Sequence, residues 1–200
     1  GAWEAWVQEH ILDAVNLTRT GFELALDGSL KDVAHGYLGD QSVGTYYTGY
    51  SVPAGGMHST TKDMNKLADA IMSGALISDS DLREDFLGPH YMNTGGGATT
   101  AIGAPWEFQL HNNTGFFVRR KGGNVPGYAA IVAFVPALRL SLAITVSWMG
   151  FDEFGASWGG LELILGPFSK MLAMQEMAAG LPQPKDQHAF VGNYSTPVPP

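Results

Sequence analysis

The sequence predicts a mixed α/β fold, an antiparallel sheet flanked by helices, and three observations carry that expectation. Four segments of strand composition follow one another between residues 106 and 148, joined by short connections rich in Gly, Pro and Asn. Apolar residues recur at helical spacing near the start, again from residue 60, and again from residue 158. Two hundred residues at 45% hydrophobic content also suffice for the core of one domain.

Taken in order, Trp3, Trp6, Val7, His10, Ile11, Ala14 and Val15 form one broad apolar stripe, which predicts an amphipathic helix. Residues 21–56 lack periodicity and are punctuated by Gly36, Gly39, Gly44, Gly49, the Gly55-Gly56 pair and Tyr37, Tyr46, Tyr47 and Tyr50. They read as loop with a short strand at most, the kind of segment that lines a cleft. Met64, Leu67, Ala68, Ile71 and Met72 predict a helix over Thr60–Ser73, opened by a Thr60-x-x-Asp63 capping box and stopped at Gly74. A short helix over Ser80–Leu87 and a flexible loop over Gly95–Thr100 follow.

The strands are expected at Trp106–His111, Phe116–Lys121, Tyr128–Val135 and Leu140–Trp148. In the last, Leu140, Leu142, Ile144, Val146 and Trp148 share one face, and Ser141, Ala143, Thr145 and Ser147 the other. The small face invites close packing by the helix predicted at Trp158–Ala179, with a kink at Gly166-Pro167. Asp152-Glu153 reads as a solvated loop pair.

Composition excludes several functions. A net charge of -8 argues against nucleic acid or an anionic membrane as partner, since both need a basic face. With no cysteine, disulfides, thiolate catalysis and Cys-ligated zinc are ruled out. The six histidines show no ligand spacing, so no metal site is expected. Sequons at Asn16, Asn112 and Asn193 are candidate glycosylation sites and lean toward an extracellular protein. No run of apolar residues is long enough to span a membrane, and no signal peptide is visible. The chain opens on Gly1 directly in helical periodicity, which reads as a piece of something longer.

The most informative stretch is Lys121-Gly122-Gly123-Asn124-Val125-Pro126-Gly127-Tyr128. A cation followed by paired glycines on a strand edge lets a ligand approach the backbone closely. Upstream lie Gly55-Gly56-Met57-His58-Ser59-Thr60-Thr61-Lys62-Asp63-Met64 and Gly103-Ala104-Pro105-Trp106-Glu107. In this order the segments resemble the C-terminal part of the serine β-lactamase and penicillin-binding-protein-like superfamily, in particular its secreted eukaryotic branch. The resemblance runs from about residue 3 to residue 180. It implies a β-lactamase/transpeptidase-like domain over 1–180, incomplete in itself. Residues 181–200 would then be a Pro-rich linker and the first strand of a following β-rich module.

The resemblance also implies an acyl-serine mechanism on peptide-, ester- or β-lactam-like substrates, without a cofactor. Such chemistry joins a Ser-x-x-Lys, a Tyr-x-Asn and a Lys-Thr-Gly-type strand in one cleft. Ser59-x-x-Lys62 and Tyr91-x-Asn93 match the first two literally, but they are too close together, and Lys62 lies opposite the buried stripe of its helix. Both read as chance matches, with Ser59 at or just before a helix cap. Trp3–Phe22 instead resembles the helix that follows the family's tyrosine motif. The nucleophile would therefore come from the missing N-terminal part of the same domain. Lys121, Gly122 and Gly123 occupy the third position as candidate substrate-binding residues, with Lys121 a candidate catalytic group. Gly122 lacks the usual hydroxyl, which keeps open a non-catalytic binding module as the alternative.

Overall fold

The structure, a computed structural model, describes residues 1–22, 32–44, 49–92, 100–112 and 114–180. Tyr46, Tyr47, Asn93, the glycine run at 95–97, and residues 181–200 with Asn193 lie outside the described residues. The elements begin with α1 (Ala2–Val7), a π-helical turn (Gln8–Asp13), β1 (Gly21–Phe22), β2 (Tyr37–Leu38) and β3 (Gln41–Ser42). Next come α2 (Val52–Gly55), β4 (Met57–His58), α3 (Thr61–Ser73), α4 (Ser80–Leu87), β5 (Tyr91–Met92), β6 (Thr100–Ile102) and β7 (Glu107–Leu110). The chain continues through β8 (Phe117–Val125), β9 (Tyr128–Val135), β10 (Leu140–Val146) and α5 (Glu153–Ala178).

The last six strands form one antiparallel meander in the order β10-β9-β8-β7-β6-β5. β5 and β6 extend the four strands read from sequence; at two and three residues, neither is long enough to show an alternation. β8 also outruns its expected end at Lys121 and continues to Val125, so Lys121-Gly122-Gly123 is strand and the turn is Pro126-Gly127 alone. The glycines did not end the strand because every residue from Arg119 to Val125 still finds a partner on β9.

Directly paired residues share a face, and the two faces carry different cores. Ala101, Phe108 and Phe134 are buried with Trp106, Leu87, Ile71 and Ala68 beneath α3 and α4. Trp106 anchors this side, meeting Phe134 edge-on at 4.7 Å and Phe86 at 5.7 Å. On the opposite face Val118, Ala133 and Val135, flanked by Leu140 and Leu142, lie under Leu161 and Leu165 of α5. The expected partner of β10 is thereby corrected. Leu142 pairs with Ala133 and faces α5, whereas Ser141 and Ala143 pair with Phe134 and Val132 on the side of α3. The small residues thus admit α3, and α5 packs on the large ones.

Three local expectations change for identifiable reasons. The first helix widens from α to π after Val7, so the buried residues are Val7, Leu12 and Leu17, at five-residue spacing. Trp6 and His10, on the expected stripe, lie against each other with their rings tilted by 50°, and Trp6 is 56% exposed. The capping box at α3 forms only by half: Thr60 Oγ1 accepts from the Asp63 N–H, but the Asp63 carboxylate turns to residues 19 and 20. Asp152-Glu153 is no solvated loop: Asp152 caps α5, which starts five residues before the expected Trp158, and Glu153 is 5% exposed and accepts from Asn124 Nδ2. At the other end of the sheet, buried His111 bonds Thr114 through Nδ1 at 2.7 Å. Its Nε2 lies 3.2 Å from the Glu162 carboxylate of α5, off the hydrogen-bond direction.

Candidate active site

A cavity of about 890 Å³ opens beside the strand ends where β9 begins and β10 finishes. Its walls are the segment 18–22, residues 32–34, the Gly55–Thr61 run that carries β4 into α3, and residues 128–130 and 145–147. The two sequence segments Thr18–Phe22 and Met57–Thr61, far apart in the chain, are joined by pairing of Gly21 with His58 and Phe22 with Met57. The lining is rich in hydroxyls, from Thr18, Thr20, Ser59, Thr60, Thr61, Tyr128, Thr145 and Ser147.

One buried carboxylate organises that wall. Asp63, 4% exposed, accepts from the Arg19 N–H at 2.8 Å and from the Thr20 hydroxyl at 3.0 Å. Thr20 Oγ1 is in turn 2.8 Å from Ser59 Oγ. Ser59 is therefore the outer member of a Thr20–Asp63 brace, adjacent to the Thr60 cap. Its hydroxyl also reaches the Thr60 carbonyl, at 3.3 Å. Lys62 is exposed and bonded to none of the described residues. No described group touches Ser59 as a base would.

His58 lines the same cavity with Nδ1 buried and unpartnered. Burial, and secondarily the Arg19 charge, hold its imidazole below the usual histidine range. It is a neutral, polar ring at neutral pH. Nothing in the chain's motif spacing singled it out, since a lone histidine after two glycines carries no pattern.

Lys121 stands apart from this cavity. β7 stops at Glu107, opposite Arg120, so Lys121–Val125 of β8 is paired to β9 but to no described strand on its other side. The Lys121 ammonium folds back along that edge, donating to the Gly122 carbonyl at 2.8 Å and lying 3.6 Å from Glu107 Oε1. Gly122 faces the opposite way, toward α5. A Cβ there would sit 2.8 Å from the Phe154 ring and 3.3 Å from Glu153 Oε1, so packing alone accounts for the missing side chain. Next to it, Arg120 lies over both Phe154 and Trp158 at 5.0 and 5.7 Å. Burial lowers its pKa, with Glu107 and Asp152 acting the other way.

The remaining candidates are scattered. Tyr91 is 75% exposed on β5, at the far edge of the sheet from β10. Asn16 and Asn112 are exposed, the former at φ 54°. Among the described residues, no three His, Asp or Glu side chains gather to hold a metal, and no helix is long and apolar enough to cross a membrane.

Comparison with known proteins gives this geometry its context. The human protein named Putative beta-lactamase-like 1 is 30% identical over 202 residues, covering 98% of this chain and 39% of its own length. The chain thus spans about two fifths of that relative. The octameric penicillin-binding protein homologue of Pyrococcus abyssi superposes with a TM-score of 0.71 at 18% identity, over 82% of this chain and 38% of that one. A D-stereospecific amidohydrolase from Streptomyces gives 0.62 at 15% identity, over 73% and 44%. Both likenesses show a β-lactamase/transpeptidase fold. The Beta-lactamase family's sequence model matches residues 1–165, and the chain belongs to that family.

Proposed function

We propose that this chain is the substrate-facing part of a β-lactamase-like serine hydrolase, whose nucleophile comes from polypeptide outside these residues. The observation that carries the reading is the edge of β8 at Lys121–Val125, which among the described residues has no strand on its outer side and reaches a hydroxyl-lined cavity at Val125, where no described group is placed to activate Ser59. An extended acyl substrate can add to that edge by main-chain hydrogen bonds, with Lys121 supplying positive charge. The nucleophilic serine and its base would enter from the cavity side and pass through an acyl-enzyme that water hydrolyses. Substrates are peptide-, ester- or β-lactam-like by family, and an extracellular location accords with the exposed sequons at Asn16 and Asn112.

The alternative is a binding module without chemistry. Gly122 favours it, because a hydroxyl residue there would collide with Phe154. Labelling by a fluorophosphonate and by a fluorescent penicillin separates the two. The 200-residue chain is expected to remain unlabelled, and a longer form carrying a Ser-x-x-Lys to be labelled at that serine. An unlabelled longer form would establish the binding module. Labelling of the short chain at Ser59 would make the brace around Asp63 the active site.

A further inference from the structure

We propose that Glu153, in the first turn of α5, is a positioning residue that acts through Asn124 to set the edge of β8; what that edge binds rests on the proposed hydrolase reading. The ladder fixes which main-chain groups the edge presents. The His111 N–H donates to the Phe116 carbonyl at 2.8 Å, where β7 passes into β8. Antiparallel pairing alternates from there, so Phe116, Val118 and Arg120 turn their main-chain groups toward β7. Gly122 and Asn124 turn theirs the same way, beyond the end of β7, while Gly123 and Val125 bond to β9. The Gly122 carbonyl already accepts from Lys121 Nζ. An added chain would therefore meet the Gly122 N–H and both main-chain groups of Asn124.

The side chains of the same alternate residues point to α5. Arg120 lies over Phe154, Gly122 leaves room for that ring, and Asn124 Nδ2 donates to Glu153 Oε1 at 2.5 Å. Glu153 is 5% exposed, and among the described residues Asn124 is the one side chain that donates to it. Its own turn is fixed by Asp152, whose carboxylate accepts from the Gly155 N–H at 2.9 Å. Asn124 is itself exposed, so the bond rather than packing holds it.

The bond is placed where the strand needs one. Gly122 and Gly123 give this stretch the most backbone freedom in β8, and β7 no longer supports it. Fixing the Asn124 side chain to a buried carboxylate fixes its main chain too. The tolerance is narrow, since misplacing a reacting group by about 1 Å can cost about a hundredfold in rate.

Hydrogen exchange on the 200-residue chain tests the tether without reference to catalysis. Glu153→Ala should speed exchange of the Gly123 and Val125 amides by about tenfold or more relative to Arg119, which bonds to the same strand in the other half of β8. Glu153→Gln keeps an acceptor for Asn124 and should leave that ratio unchanged. Asn124→Ala, at an exposed position, should reproduce the effect even where the buried substitution impairs folding. In the longer form, Glu153→Ala should lower the maximal rate of labelling by a fluorophosphonate about tenfold or more. The half-saturating concentration should stay within about threefold, and Glu153→Gln near the parent. The double variant Asn124→Ala/Glu153→Ala should be no slower than either single one, and additive slowing would overturn the proposal. Exchange that rises equally at all three amides, or at none, would also overturn it. So would a labelled parent whose Glu153→Ala form is labelled equally fast, a result that leaves the hydrolase reading standing. A longer parent that stays unlabelled would remove that reading, and the exchange ratio would still decide the tether.

Discussion

The two halves of β8 differ more than most whole strands do. Phe117–Arg120 pairs with β7 throughout and with β9 from Arg119 on, with helices on both faces, and Val118 is fully buried. Lys121–Val125 keeps β9 alone, carries two glycines, and borders the cavity through Val125. In the first half each residue is chosen by its neighbours within the protein. In the second, the constraint comes from the start of α5 alone, where Phe154 crowds Gly122 and Glu153 accepts from Asn124. A strand can thus be structural scaffold for half its length and an open template for the rest, and stability and activity should separate along it.

The scaffold half should dominate stability. Phe134 pairs with Arg119 on that stretch, is wholly buried and meets Trp106 edge-on. Phe134→Ala removes the ring and leaves a cavity, at a cost of about 3–5 kcal/mol read from the denaturation midpoint. A cost below about 1 kcal/mol would mean the centre of the sheet is not packed as described. Asp63→Ala comes next, at about 3 kcal/mol, because it leaves the Arg19 N–H and Thr20 hydroxyl without their acceptor. A loss no larger than that of Ser59→Ala would remove the brace from the account.

Gly122→Ser probes a residue of the open half that packing against α5 constrains. The new side chain presses on Phe154, and the expected cost is about 1–2 kcal/mol. Phe154→Ala should absorb it, so the double variant should be more stable than the sum of the singles allows. Additive losses would show that Gly122 is retained for some other reason.

Much of this frame was legible in the sequence, because long elements repeat their signal. α3, α4, β9 and the ladder of antiparallel strands follow from periodicity, and the motif order led to the family. The errors arose where one contact outvoted a pattern. Pairing along β9 carried β8 through its glycines, and a π turn shifted the N-terminal helix by a residue. Ala68 of α3 lies on the small-residue side of β10, reversing the assignment of its faces. The candidate site was less legible. Lys121 and Gly122 stood out as a motif, but His58, Asp63 and Glu107 gain meaning only from partners more than ten residues distant.

His58 adds a pH dependence smaller than these losses. Its folded-state pKa is held below the unfolded value, so the unfolded chain binds the proton first as pH falls below about 6.5. The stability it contributes is therefore complete above that value and is lost toward the lower folded-state pKa. His58→Gln should melt with a flatter dependence between pH 7 and 5 than the parent chain. Parallel curves would show that burial of the ring has no such consequence.

Lys121→Ala should change stability least of all. Its ion pair with Glu107 joins side chains 47% and 42% exposed, and such pairs contribute little once solvent screens them. The expected shift is within about 0.5 kcal/mol, close to zero on a thermal melt. The same substitution removes the one cation on an otherwise open strand edge. If the proposed hydrolase is correct, the longer, labelled form should lose turnover by orders of magnitude while melting unchanged. That pairing of outcomes is what an open half-strand predicts and a structural one does not. A destabilisation near that of Asp63→Ala would mean that Lys121 belongs to the scaffold, and the distinction between the two halves of β8 would fall with it.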